Sequence, residues 1–122
     1  MPPHILLADD EVQIRQLLEF KLQGKGFEVT VVDDGAECLD HLEGPDELPD
    51  AVLLDVMMPQ VDGFRALETI RDTLSEELPV IMLTTRSREP DAIRGLENGA
   101  NEYIEKPFSP DEVIARVERH LQ

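Results

Sequence analysis

Four short apolar runs in this 122-residue chain lead into residues that can do chemistry. Ile5-Leu6-Leu7-Ala8 runs into Asp9-Asp10-Glu11, and Ala51-Val52-Leu53-Leu54 into Asp55. Val80-Ile81-Met82-Leu83 runs into Thr84-Thr85, and a shorter Tyr103-Ile104 precedes Lys106-Pro107. Carboxylates converging on one edge repel one another, and a divalent cation is the natural compensation. Oxygen-only ligands of this kind suit Mg²⁺. A lysine and a hydroxyl beside such an ion can hold the oxygens of a phosphoryl group. Taken singly, each residue also has an ordinary role open to it. Asp10 could cap a helix with Gln13 three residues on. Asp55 could be a turn residue. Thr84 could bond to backbone at a strand end, and Lys106 could be solvated. All four at the edge of one sheet are a different matter.

The surrounding pattern supplies that sheet. The apolar runs, with a further one from Phe27 to Val32, have the length and continuity of parallel strands buried on both faces. Phe27-Glu28-Val29-Thr30-Val31 alternates instead, as a half-exposed edge strand should. Five helical patterns lie between and after them. Ile14, Leu17, Leu18 and Leu22 form the first, punctuated by Gly24 and Gly26. Ala36, Leu39 and Leu42 form the second, stopped by Gly44-Pro45; Phe64, Leu67, Ile70 and Leu74 form the third. Ile93, Leu96 and Ala100 form the fourth, with Pro90 at its start and Gly99 near its end. The fifth opens on Ser109-Pro110-Asp111-Glu112, a capping-box signature, and presents Val113, Ile114, Val117 and Leu121. The expected fold is α/β, a doubly wound (βα)5 domain over residues 1–122: a five-stranded parallel sheet with helices on both faces. In such a sheet, function gathers beyond the carboxyl ends of the strands. The fifth pattern reaches the last residues, leaving no room for an output domain within these 122.

Composition narrows the classes. One cysteine, Cys38, excludes an intrachain disulfide framework, and no Cys/His cluster has zinc spacing. No apolar run approaches the ~20 residues that span a membrane. Met1-Pro2-Pro3-His4 is not the start of a signal peptide, so a cytoplasmic location is expected. The net charge of −16 would repel a nucleic-acid duplex. The bases are eight Arg against three Lys, a balance open to a halophile or to an ordinary acidic bacterial protein. Met57, Met58 and Met82 read as packing residues, and His4, His41 and His120 as surface side chains.

Along essentially its whole length the chain resembles a response-regulator receiver domain. The matching stretches are Ile5 to Glu11, Leu53-Leu54-Asp55-Val56-Met57-Met58-Pro59 with Asp62-Gly63, Pro79 to Thr84, and Gly99-Ala100 leading to Tyr103-Ile104-Glu105-Lys106-Pro107-Phe108. The resemblance implies the flavodoxin-like strand order 2-1-3-4-5. It implies that Asp55 takes a phosphoryl group from a sensor histidine kinase or phosphotransfer protein. It implies Mg²⁺ bound by Asp10, Asp55 and the backbone carbonyl of Met57, with Asp9 acting through water. Lys106 would pair with Asp55 at rest and with phosphoryl oxygens later, ahead of a cis peptide to Pro107. Thr84 and Tyr103 match the switch pair. Control would pass to an output domain or effector, and a homodimer could form through the fourth helix, fifth strand and fifth helix.

The C-terminal half is most similar to receivers of winged-helix transcription factors, which pair through charges on that face. Glu102, Glu112 and Arg116 match the pattern, whereas Ala92, Asn101 and Glu118 depart from it. Thr85 stands where a small residue is common. Three other classes remain to be weighed. An aspartate-nucleophile phosphatase would need a second aspartate where Met57 stands. A receiver without phosphorylation would lack Asp10, Asp55 or Lys106. A flavin binder would not place acid after its first strand.

Overall fold

The structure, a computed structural model, describes residues 2–44, 48–58, 62–75, 77–84 and 99–121. In chain order these form β1 (His4–Ala8), α1 (Val12–Gly24), β2 (Glu28–Val32), α2 (Gly35–Glu43), β3 (Ala51–Asp55) and α3 (Gly63–Thr69). A π-helical turn (Ile70–Leu74), β4 (Val80–Thr84), β5 (Glu102–Glu105) and a C-terminal helix (Pro110–His120) follow. The five strands pair in parallel in the order β2-β1-β3-β4-β5. The fourth helical pattern, with Ile93 and Leu96, lies outside the described residues, as do Pro59, Thr85 and Ala92.

Strand alternation builds two cores. Leu6, Ala8, Val52, Leu54 and Met82 face one way, against Cys38 and Leu42 of α2 and Phe64 and Leu67 of α3. Ile5, Leu7, Leu53, Ile81 and Leu83 face the other way, against Leu18 and Leu22 of α1 and Val113, Ile114 and Val117 of the C-terminal helix. β3 and β4 are buried throughout, while β2 is half-exposed, which matches their central and edge positions. Among the described residues no helix is long and apolar enough to cross a membrane.

Several boundaries depart from the expected ones for local reasons. Phe27 does not join β2. Its N–H donates to Leu22 O (3.1 Å) and that of Gly26 to Gln23 O (3.0 Å), with Gly26 at φ 92°. This paired helix stop draws Phe27 into the end of α1. The third helical stripe is not one regular helix. From Ile70 it widens into a π turn, closed by Ser75 N–H to Ile70 O at 2.8 Å. That turn aims Arg71 across the domain, where it donates to Leu78 O (2.7 Å), Gly99 O (2.9 Å) and Asn101 Oδ1 (3.0 Å). Asn101 Oδ1 also accepts from Val80 N (2.9 Å), so this residue ties the starts of β4 and β5 together. At the C-terminal helix, Ser109 is the N-cap and Pro110 opens the first turn, yet Ser109 makes no side-chain capping bond. The backbone closes that turn instead, through Glu112 N–H to Ser109 O at 3.0 Å.

Candidate functional site

Four of the predicted site residues sit where a strand ends. Asp9 follows β1, Asp55 and Thr84 close β3 and β4, and Lys106 follows β5. All four are buried, with Asp55 only 2 % exposed. The β3 end is held in place by its own turn. Asp62 caps α3 by accepting from Arg65 N (2.9 Å), and Gly63 N–H donates to Val56 O (2.8 Å). A Cβ on Gly63 would collide with the backbone of Asp55 and Val56, so only glycine lets α3 start this close to the acid. On the other side, Lys106 N–H donates to Thr84 O (2.6 Å), and the Lys106–Pro107 peptide is cis, as expected.

The charges meet around Lys106. Its Nζ lies 2.9 Å from Asp9 Oδ2, 2.9 Å from Glu11 Oε1 and 3.5 Å from Asp55 Oδ1. The expected pairing with Asp55 is present, but it is the longest of the three. Glu11 has no role of its own in the expected site. The signal was there in the two-residue period of extended chain: Glu11 is the extended N-cap of α1, so it can turn to the same side as Asp9. Asp10 does not cap α1, because that helix starts one residue later, and its side chain is exposed beside a groove with Val12, Arg15, Asp33 and Asp34. Carboxylate oxygens of Asp9, Glu11 and Asp55 lie within 4.8 Å of one another.

Electrostatics follow from this crowding. Burial pushes the Asp55 carboxyl up, the charge of Asp9 adds to the rise, Lys106 opposes it, and hydrogen bonding with Asp9 and Asp10 raises it again, to about 8. Burial alone would lower the Lys106 ammonium, but hydrogen bonds to Glu11 and Asp9 and the charges of Asp55 and Asp9 leave it raised. Asp9 Oδ2 is buried and meets the Lys106 ammonium in an ion pair at 2.9 Å. Three crowded carboxylates around one ammonium leave an excess of negative charge at this edge, which fits a divalent cation, and the all-oxygen donor set fits Mg²⁺.

Other expected residues fall elsewhere. Tyr103 is partly buried against the core formed by α2 and α3, opposite Met82 in the β4–β5 register. Met58 and Met82 pack in that core, but Met57 is 48 % exposed at the site's mouth instead of packing. The histidines are part-exposed, and each faces a neighbour. His4 Nε2 lies 2.7 Å from Thr30 Oγ1 and its ring stands edge-on to His41, while His120 Nε2 lies 2.7 Å from Glu102 Oε2. Glu102 also meets Arg116 (2.6 Å) and Arg119 (3.3 Å), and Glu112 lies 3.7 Å from Arg116. The charges that match a dimer face are thus engaged within the chain. Burial would raise the Glu102 carboxyl, but hydrogen bonds from His120 and Arg116 and the charges of Arg116 and Arg119 hold it below its usual range.

A parallel sheet in this order, with an acidic pocket, a lysine and a hydroxyl at its carboxyl edge, defines a flavodoxin-like α/β domain of the receiver type. The profile of the response regulator receiver domain matches residues 5–118, and the chain belongs to that family. It is 40% identical over 118 residues to the phosphate regulon transcriptional regulatory protein PhoB of Escherichia coli, covering 96% of this chain and 51% of that protein. The chain spans about half the length of the curated relatives it matches. A putative response regulator from Chloroflexus aurantiacus superposes with TM-score 0.91 at 37% identity, covering 99% of this chain and 98% of that one. The receiver domain of a Pseudomonas aeruginosa sensor histidine kinase, solved with magnesium in its active-site cleft, superposes with TM-score 0.88 at 30% identity, covering 99% and 98%.

Proposed function

We propose that this receiver domain is a cytoplasmic phosphoacceptor switch with Asp55 as the acceptor. The observation that carries the reading is a buried aspartate flanked, on neighbouring strand ends, by a second acid, a hydroxyl and a lysine. An Asp55 carboxylate oxygen attacks the phosphorus of a kinase phosphohistidine; the P–N bond breaks and its electron pair stays on the imidazole. Asp10, Asp55 and the Met57 carbonyl would hold Mg²⁺, with Asp9 acting through water. The carboxylates of Asp9, Glu11 and Asp55 crowd within 4.8 Å of one another at this edge, and that excess of negative charge supports the reading. When bound, the ion supplies positive charge against the phosphoryl oxygens. Lys106 takes hold of one of those oxygens, and Thr84 offers its hydroxyl to another.

Thr84 turning toward Asp55 then leaves room for the ring of Tyr103, and the two packings form the switch. The signal leaves through β5 and the C-terminal helix, toward an output domain or a second copy of the chain. As a signalling domain it catalyses only its own phosphorylation and dephosphorylation. Acetyl phosphate with Mg²⁺ should add one phosphoryl group, read by intact mass, and Asp55→Asn should abolish it. A phosphoryl group still gained by that variant would move the acceptor elsewhere.

A further inference from the structure

We propose that Glu11 is a resting latch for Lys106: it holds the ammonium away from Asp55 until a phosphoryl group draws it across. The proposal rests on the phosphoacceptor reading above and adds a residue to it.

The geometry is a competition for one cation. Lys106 Nζ is 2.9 Å from Glu11 Oε1, in a hydrogen bond, and 3.5 Å from Asp55 Oδ1. Lys106 itself is buried, whereas the Glu11 side chain is half in solvent. The two carboxylates therefore differ in what release costs. Asp55 cannot leave its strand end, but Glu11 can swing into water and be solvated there. Glu11 also makes no side-chain capping bond to α1, so its carboxylate is not committed to the helix it precedes. Asp9 differs again. It is fully buried, and its Oδ1 accepts from Glu11 N (2.9 Å), which fixes it as the permanent partner of the ammonium. Lys106 thus has one fixed anchor, Asp9, and one releasable one, Glu11. Moving the ammonium from the releasable anchor to an oxygen on Asp55 needs little more than a turn of its flexible stem.

A phosphoryl oxygen on Asp55 must break the Glu11–Lys106 contact to recruit the lysine. Neutralising Glu11 removes that competitor, so the phosphoryl-bearing state should be favoured. The pair is half-exposed, so the gain is small, about two- to fivefold. The test is a double-mutant cycle on the affinity for beryllium trifluoride, a stable phosphoryl mimic, in the presence of Mg²⁺. Glu11→Gln should tighten the mimic, and the gain should shrink clearly when Lys106→Met is also present. An equal gain in both backgrounds would reduce Glu11 to one more negative charge near an anion and overturn the latch. No gain, or a loss, would overturn it as well, because Glu11 would then orient the lysine productively. The ammonium resonance of Lys106 gives a second reading that does not depend on the double variant. Glu11→Gln should move it in the direction that mimic binding moves it in the unmodified protein, and an unmoved resonance overturns the latch. If the unmodified protein itself does not bind the mimic, the phosphoacceptor reading fails first, and the result is distinct from any of these.

Discussion

Two ionic clusters in this domain are near inversions of each other. At the carboxyl edge of the sheet one cation, Lys106, sits among the carboxylates of Asp9, Glu11 and Asp55. At the start of β5 the carboxylate of Glu102 sits among Arg116, Arg119 and His120 of the C-terminal helix. They differ in burial and in balance. The first is deep, carries an excess of its own majority sign, and drives the Asp55 carboxyl up to about 8. The second is half-exposed, so its surplus positive charge is shared with water, and its carboxyl is held low. Excess like charge in a buried place is unfavourable unless something else binds there, which is why the deep cluster is the candidate site. The shallow cluster ties the C-terminal helix to an edge strand.

The largest expected effect comes from removing the centre of the deep cluster. Lys106→Met leaves Asp9 buried without a counter-charge and should cost about 3 kcal/mol of stability. Denaturant unfolding in chelator measures it; a loss below about 1 kcal/mol would mean that water already reaches the pair and the two clusters are alike. Removing one of the crowded acids should do the opposite. Asp55→Asn should stabilise the metal-free protein by about 2 kcal/mol near pH 8, discounted for solvent at the site's mouth. The sign follows from a carboxyl whose folded value lies above its unfolded one. The folded state then binds the extra proton between about pH 4 and about pH 8, so stability falls as pH rises through that window. The advantage of Asp55→Asn should therefore be near zero at pH 4, grow to pH 8 and level off. A difference that stays flat across the window would mean that Asp55 titrates as an ordinary carboxylate.

The deep cluster was also the more legible of the two in the sequence. Buried parallel strands announce themselves as continuous apolar runs, and the chemistry follows each run at its carboxyl end, so Asp9, Asp55, Thr84 and Lys106 could be located from order alone. Glu11 escaped because its role depends on which way an extended residue turns. The partners of Glu102 escaped for a different reason. Its charge and those of Arg116 and Arg119 are obvious, but spacing does not tell whether a surface charge pairs within the chain or across an interface. Asn101 shows the same limit. It departs from the family's charged pattern, and its place is explained by Arg71 and Val80, thirty and twenty-one residues away in the chain. The π turn that aims Arg71 also preserves the apolar stripe of the third helix, so the period by itself gave no sign of it.

The smallest expected effect lies at the shallow cluster, and it runs with the opposite pH dependence. Glu102 has a folded value below its ordinary one, so its contribution is present above the ordinary carboxylate range and is lost as pH falls through the folded value. Glu102→Gln keeps the shape and removes the charge. It should cost about 0.5–1 kcal/mol at neutral pH, as expected for a part-exposed ion pair with more than one partner. The cost should fade as the medium becomes acid enough to protonate Glu102 in the native protein. Added salt should weaken it too, because water and ions reach Arg119 and the rim of Arg116. The deep cluster should respond less to the same salt, since Lys106, Asp9 and Asp55 are shielded from it. Unfolding curves of Glu102→Gln and Lys106→Met at low and high salt would read both responses together. If salt erased the Lys106→Met effect and spared that of Glu102→Gln, burial would not be what separates the two clusters.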